Sequence, residues 1–119
     1  MRVLVVDDSV IMRRIISNNL KTAGFTDIVE ANNGAEAMEN LSGVELILTD
    51  WNMPVMDGLS FVKEVRKNGE YSKIPIVMIT TEGAKTEVME ALKSGVNNYI
   101  VKPFTPETLV EKINSTLAK

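Results

Sequence analysis

Short apolar runs alternate with longer mixed stretches along the chain. The runs fall at residues 3–6, 27–31, 46–49, 76–80 and 98–101. Three of them are nearly continuous β-branched and Leu stretches, the pattern of strands buried on both faces. The segments between them carry helical spacing. Ile11, Ile15 and Leu20 mark the first helix, which Gly24 stops. Ala35, Met38 and Leu41 mark the second, ended by Gly43; Leu59, Val62 and Val65 mark the third, ended by Gly69. Val88, Ala91 and Leu92 mark the fourth, ended by Gly95, and Leu109, Ile113 and Leu117 mark the last. Ser9, Asn33, Asp57 and Thr105 stand where N-caps belong, and Pro106 takes a first helical position.

The pattern is strand then helix, five times over. Such alternation predicts an α/β fold: a doubly wound parallel sheet with helices on both faces and right-handed crossovers. The chain shows no linker, low-complexity tract or second repeat, so one domain over 1–119 is expected. The fifth helix takes the sequence to residue 119, and no output domain is expected.

Composition narrows the chemistry. With 45% hydrophobic and 24% charged residues, the chain reads as an ordinary soluble globular protein. Without cysteine it builds neither a disulfide framework nor a thiolate zinc site. Without histidine it has no imidazole base, ligand or phosphohistidine of its own. Net charge is -3 and no basic block occurs, so nucleic acid is not an expected partner. Met1-Arg2 leads straight into an apolar strand, so no signal peptide is expected, and no apolar run approaches the ~20 residues of a membrane span. The expected location is the cytoplasm, with no membrane contact, and the expected state is a monomer.

Ligands of an open parallel sheet bind beyond the carboxyl ends of its strands. The first strand ends in Asp7-Asp8, the third in Asp50, the fourth in Thr80-Thr81 and the fifth in Lys102-Pro103. Four strand ends thus bring three acids, a hydroxyl and a lysine to one edge. Three carboxylates repel one another unless a cation joins them, and Mg²⁺ is a hard cation held by one or two carboxylates plus water and phosphate oxygens. Lysine binds phosphate as a point charge, and an Asp carboxylate accepts phosphoryl groups. The set matches phosphoryl transfer, where a protein mainly positions groups and neutralises charge.

The same residues resemble a known family. Val-Leu-Val-Val-Asp-Asp-Ser at 3–9, Leu-Thr-Asp-Trp-Asn-Met-Pro at 48–54 with Asp57-Gly58-Leu59, Met-Ile-Thr-Thr-Glu at 78–82 and Tyr-Ile-Val-Lys-Pro-Phe at 99–104 are similar to response-regulator receiver domains. The Asp-Trp-Asn-Met-Pro run and the length resemble the chemotaxis CheY branch. The resemblance implies the flavodoxin-like (βα)5 fold with strand order 2-1-3-4-5, carried over from that family.

It also implies roles. Asp50 would accept the phosphoryl group. Asp8, Asp50 and the main-chain carbonyl of Asn52 would hold Mg²⁺, with Asp7 acting through water. Lys102 would bind phosphoryl oxygens. Thr80 would shift toward the phosphoryl group, and Tyr99 would turn inward as it moves. Pro103 would follow a cis peptide bond. Asn52 and Glu82 sit where the family tunes self-hydrolysis. Thr81 departs from the family, which usually has a small residue there. The output surface would lie over about residues 83–118. A sensor histidine kinase or a small acyl phosphate would be the donor, a flagellar motor switch protein the target, and a phosphatase a further partner. Such a protein is not an enzyme on external substrates. The alternative is a stand-alone receiver in another phosphorelay, or a phosphate sink.

Each residue taken singly has an ordinary reading: Asp7-Asp8-Ser9 as a helix cap, Asp50 as a turn residue, Lys102 as a solvated lysine, Tyr99 as packing. Their convergence on one sheet edge is what those readings do not predict. Other functions fit less well. A flavodoxin-type carrier would place a flavin phosphate against Asp7-Asp8. No Gly-x-Gly-x-x-Gly follows a strand, against a dinucleotide enzyme. Asp50-Trp51-Asn52 echoes an aspartyl-phosphate phosphatase, but Asn replaces the second acid and no cap domain is expected.

Overall fold

A computed structural model describes residues 1–118. Five strands, β1 (Arg2–Val6), β2 (Asp27–Ala31), β3 (Val44–Thr49), β4 (Ile76–Thr80) and β5 (Asn98–Val101), alternate with five helices. The helices are α1 (Val10–Thr22), α2 (Gly34–Met38), α3 (Gly58–Lys67), α4 (Lys85–Ser94) and α5 (Pro106–Leu117). All strand pairings are parallel, in the order β2-β1-β3-β4-β5. This is the expected flavodoxin-like α/β topology. No helix among the described residues is long and apolar enough to cross a membrane.

The core divides by strand alternation, since successive side chains point to opposite faces. Val3 and Val5 of β1 pack with Ile16 and Leu20 of α1 and with Leu109 and Ile113 of α5. Leu4 and Val6 pack with Ala37 of α2, Phe61, Val62 and Val65 of α3, and Ala91 of α4. Both faces are covered, so β4 is buried along its whole length and reads as continuous hydrophobics closed by one Thr. Edge strand β2 is only partly buried and mixes Asp27 and Glu30 with its apolar residues.

All four N-caps form, each side chain accepting from an N–H three residues on: Ser9 from Met12, Asn33 from Glu36, Asp57 from Ser60 and Thr105 from Thr108. Gly95 closes α4 in the left-handed region at φ 116°, as its position predicts. The structure corrects several helix markers. Ile11 and Ile15 are 73% and 43% exposed, and the buried stripe of α1 runs through Ile16 and Leu20. One residue of helix is a rotation of ~100°, so a stripe displaced by a single position faces water. Leu92 is likewise exposed, while the smaller Ala91 sits beneath α4. The second helix stops at Met38, well before Gly43, because β3 starts early at Val44; Leu41 is buried from the turn between them. Helix α3 ends on Asn68, one residue short of Gly69.

Candidate functional site

The sheet ladder delivers the functional residues. Val6 pairs with Thr49, so Asp7 and Asp50 leave adjacent strands side by side. Thr80 pairs with Val101, so Lys102 leaves β5 at the same level. Each turn is held by one more main-chain bond: Asp7 N–H to Ala31 O at 3.1 Å, Asp50 N–H to Val6 O at 2.9 Å, and Lys102 N–H to Thr80 O at 2.9 Å. Chain winding reverses between β1 and β3, which opens a crevice at their carboxyl ends.

Lys102 occupies that crevice. Its Nζ lies 2.9 Å from Asp7 Oδ2 and 2.9 Å from Asp50 Oδ2. The side chains are 12%, 2% and 12% exposed for Lys102, Asp7 and Asp50. Asp50 Oδ1 accepts the Trp51 N–H at 2.6 Å, and Asp7 Oδ1 accepts the Ser9 N–H at 2.9 Å. The more exposed Asp8 completes the set, with one carboxylate oxygen from each of Asp7, Asp8 and Asp50 lying within 4.8 Å of the others.

Burial dominates the electrostatics. It pushes the Asp7 carboxyl above its ordinary value, against the opposing pull of the Ser9 N–H and Lys102. Burial alone would draw the Lys102 ammonium down, but its hydrogen bonds to Asp50 and Asp7 carry it above its ordinary value. The lysine thus gains from the pairing, whereas for Asp7 the loss of water outweighs it. An acid cluster with more negative charge than one ammonium can balance, built only of hard oxygen donors, fits a small divalent cation.

A second network adjoins the first. Asn52 Nδ2 donates to Glu82 Oε1 at 2.9 Å, linking the loops after β3 and β4. The Glu82 N–H reaches Thr80 Oγ1 at 3.4 Å, and the Tyr99 hydroxyl donates to the Glu82 carbonyl. Thr80 is fully buried, Tyr99 is 8% exposed, and Thr81 points to solvent. Burial, followed by Glu82, Glu87 and Asp50, pushes the Tyr99 phenol up to about 12. The candidate acceptor, metal, switch and hydrolysis-tuning residues read from the sequence thus fall in two adjoining clusters, whereas Thr81 lies in neither, and the Lys102-Pro103 peptide is cis as the resemblance implied.

Two residues were given no role at the site by the sequence reading: Gly58, noted only as part of a motif, and Arg13. Gly58 gives its N–H to Trp51 O at 2.7 Å, and a Cβ there would lie 1.9 Å from the carbonyl oxygen of Asp50. Its only local signal is the glycine just after the Asp57 cap. Arg13 donates from Nη1 to the carbonyl of Asp7. Nothing in its neighbourhood along the chain marks it. Size does not locate this chemistry: a groove of about 750 Å³ between α1 and α5, lined by Asn19, Thr22, Val110 and others, shares no residue with either cluster.

Residues 3–114 match the response regulator receiver domain, and the chain belongs to that family. Within it, the chain is similar to chemotaxis signalling proteins of the CheY type. It is 56% identical to the chemotaxis protein CheY1 of Helicobacter pylori, over 98% of this chain and 97% of that protein. It is 55% identical to the CheY homolog of Campylobacter jejuni, over 98% of this chain and 92% of that protein. Among solved structures, CheY4 of Vibrio cholerae superposes with a TM-score of 0.90 at 38% identity, covering 97% of each chain. The CheX-CheY-BeF3-Mg²⁺ complex of Borrelia burgdorferi gives 0.93 at 26% identity, covering 100% of this chain and 90% of that one.

Proposed function

We propose that the whole chain acts as one receiver domain that takes a phosphoryl group onto Asp50 and thereby changes its affinity for a chemotaxis partner. The observation that carries this reading is Lys102 held between Asp50 and Asp7, with Asp8 beside them. A carboxylate oxygen of Asp50 attacks the phosphorus of the donor. The bond from phosphorus to the donor's histidine nitrogen, or to the acyl oxygen of a small phosphate, breaks, and the leaving group keeps the electron pair. Lys102 neutralises the phosphoryl oxygens throughout. Asp8, Asp50 and the Asn52 carbonyl would hold Mg²⁺, with Asp7 acting through water. When bound, Mg²⁺ supplies further positive charge against the transferring group. The relative crystallised with Mg²⁺ and BeF3 supports this cofactor. The only chemistry is the protein's own phosphorylation and its reversal.

Thr80 leaves Glu82 to donate its hydroxyl to the new phosphoryl group; Tyr99, expected from the resemblance to turn inward in this step, is already buried in this structure, so phosphorylation holds it there. The surface of α4, β5 and α5 then favours its partner. Phosphorylation shifts this equilibrium only by its differential interaction with the two states. Asn52 and Glu82, joined across the mouth, set the hydrolysis rate. The donor is a sensor histidine kinase and the target a flagellar motor switch protein, in the cytoplasm. The CheX complex of the Borrelia relative favours a phosphatase as a further partner.

Trp51, the only tryptophan, follows the acceptor directly and reports on it. Its fluorescence is expected to change on adding Mg²⁺ and again on adding a small acyl phosphate, and Asp50→Asn should lose the second change. No response to either addition, with no label transferred from a labelled donor, would overturn the reading.

A further inference from the structure

Arg13 lies in the first turns of α1 with its side chain only 11% exposed. Nη1 donates to the main-chain carbonyl of Asp7, and Nε donates to Glu30 Oε1 on β2 at 3.0 Å. Its own N–H bonds to Ser9 O at 3.0 Å, so the helix carrying it starts on the turn it braces. The main chain of Asp7 is therefore held on both sides, its N–H by Ala31 of β2 and its carbonyl by Arg13. That carbonyl belongs to the peptide linking Asp7 to Asp8. Rotation of this peptide would swing the exposed Asp8 away from Asp7 and Asp50. The only carboxylate that Arg13 bonds directly is Glu30, among the described residues.

We infer that Arg13, braced by Glu30, is a positioning residue for the cation site: it fixes the Asp7-Asp8 peptide so that Asp8 stays within reach of the other two acids. The inference rests on the Mg²⁺ site proposed above. Arg13 has two effects of opposite sign on that site. Its charge repels a cation, so its removal by charge alone would tighten Mg²⁺ binding. Its hydrogen bond orders the ligands, so its removal by geometry would loosen binding. Groups that orient metal ligands from behind typically change affinity by about tenfold or more. The positioning effect therefore sets the sign here.

The test is Mg²⁺ titration of the full chain, followed by Trp51 fluorescence and by calorimetry. Wild type is compared with Arg13→Ala, Arg13→Lys and Glu30→Gln, each confirmed folded by thermal unfolding without metal. Arg13→Ala is expected to bind Mg²⁺ about tenfold more weakly. Arg13→Lys keeps the charge but not the fork that reaches both partners, and should also bind more weakly. Glu30→Gln should show a smaller loss. Adding Asp8→Ala should cost less in the Arg13→Ala background than in wild type, because the two share one interaction. Unchanged or tighter Mg²⁺ binding by folded Arg13→Ala overturns the inference while leaving the cation site intact. If Arg13→Ala does not fold, unchanged affinity in Arg13→Lys overturns it equally. Failure of wild type to bind Mg²⁺ removes both the site and the inference.

Discussion

The phenol of Tyr99 donates to the main-chain carbonyl of Glu82, so the aromatic residue of β5 is tied to the loop that follows β4. Thr80 Oγ1 accepts the Glu82 N–H, and the hydroxyl and the phenol therefore meet at one residue. Tyr99→Phe keeps the ring in the core and removes this tie, with an expected loss of about 1 kcal/mol in urea unfolding at neutral pH. The alkaline limb should change as well. Burial raises the folded phenol to about 12. The unfolded chain gives up the proton near pH ~10. Between these values the folded state binds more protons, so the Tyr99 contribution is complete below pH ~10 and falls as pH rises, by at most about 1.4 kcal/mol per unit. The difference between wild type and Tyr99→Phe isolates this component from the lysines that titrate nearby.

Asp7 pays for its place in the cluster. Burial holds its carboxyl above the ordinary 3.8. As pH rises from that value, the unfolded chain loses this proton first. Stability then falls through the folded pKa and stays reduced at neutral pH. Asp7→Asn should raise the metal-free melting temperature at pH 7, and the gap from wild type should close in acid. The same variant should bind Mg²⁺ more weakly, a trade of function for stability.

Lys102→Ala leaves the buried Asp7 and the partly buried Asp50 without their shared ammonium. The expected cost at pH 7 is about 3 kcal/mol, the penalty for uncompensated buried charge. Asp7→Asn in the same chain should recover part of it. Phosphorylation of Asp50 from an acyl phosphate should persist at a reduced rate, while partner binding no longer responds. Denaturant melts and a partner pull-down with and without donor read the two effects.

Val55 is a β-branched residue at φ 69° and is 85% exposed. The left-handed region costs such a residue ~1–2 kcal/mol, and exposure leaves no packing to offset it. Val55→Gly should raise stability by about 1 kcal/mol, with a higher urea midpoint and an unchanged slope.

Gly58→Ala should act in the opposite direction. The added methyl has no room beside the Asp50 carbonyl. The helix start or the loop after β3 must shift, at a cost of about 3 kcal/mol. Near-ultraviolet circular dichroism of Trp51 and Mg²⁺ affinity should both change, since the displaced backbone carries both groups.

Much of this protein was legible along the chain because the signals are local. Strand runs, caps such as Asp57 and Thr105, and the αL glycine at 95 depend on a few neighbouring residues and on period-two or 3.6-residue repeats. The site was legible for a related reason: a parallel sheet places all its strand ends on one edge, so Asp7, Asp8, Asp50, Thr80 and Lys102 declare themselves by position.

Contacts between distant segments were hidden. Ile11 and Ile15 look like a core stripe, yet packing against α5 and the sheet buries Ile16 and Leu20. Arg66, in the last turn of α3, looks like a solvated end charge. It instead donates to the main-chain carbonyls of Ser72, Ile74 and Gly95, joining two loops. Arg13 and Glu30 are 17 residues apart and meet only because β1 and β2 pair. By itself, then, the sequence determined the order of elements, which residues stand at the strand ends, and the family. Tertiary structure alone decided which helix face is buried, which cations leave solvent, and how closely Gly58 approaches Asp50. Those outcomes depend on distances between segments far apart in the chain, and local propensity does not contain them.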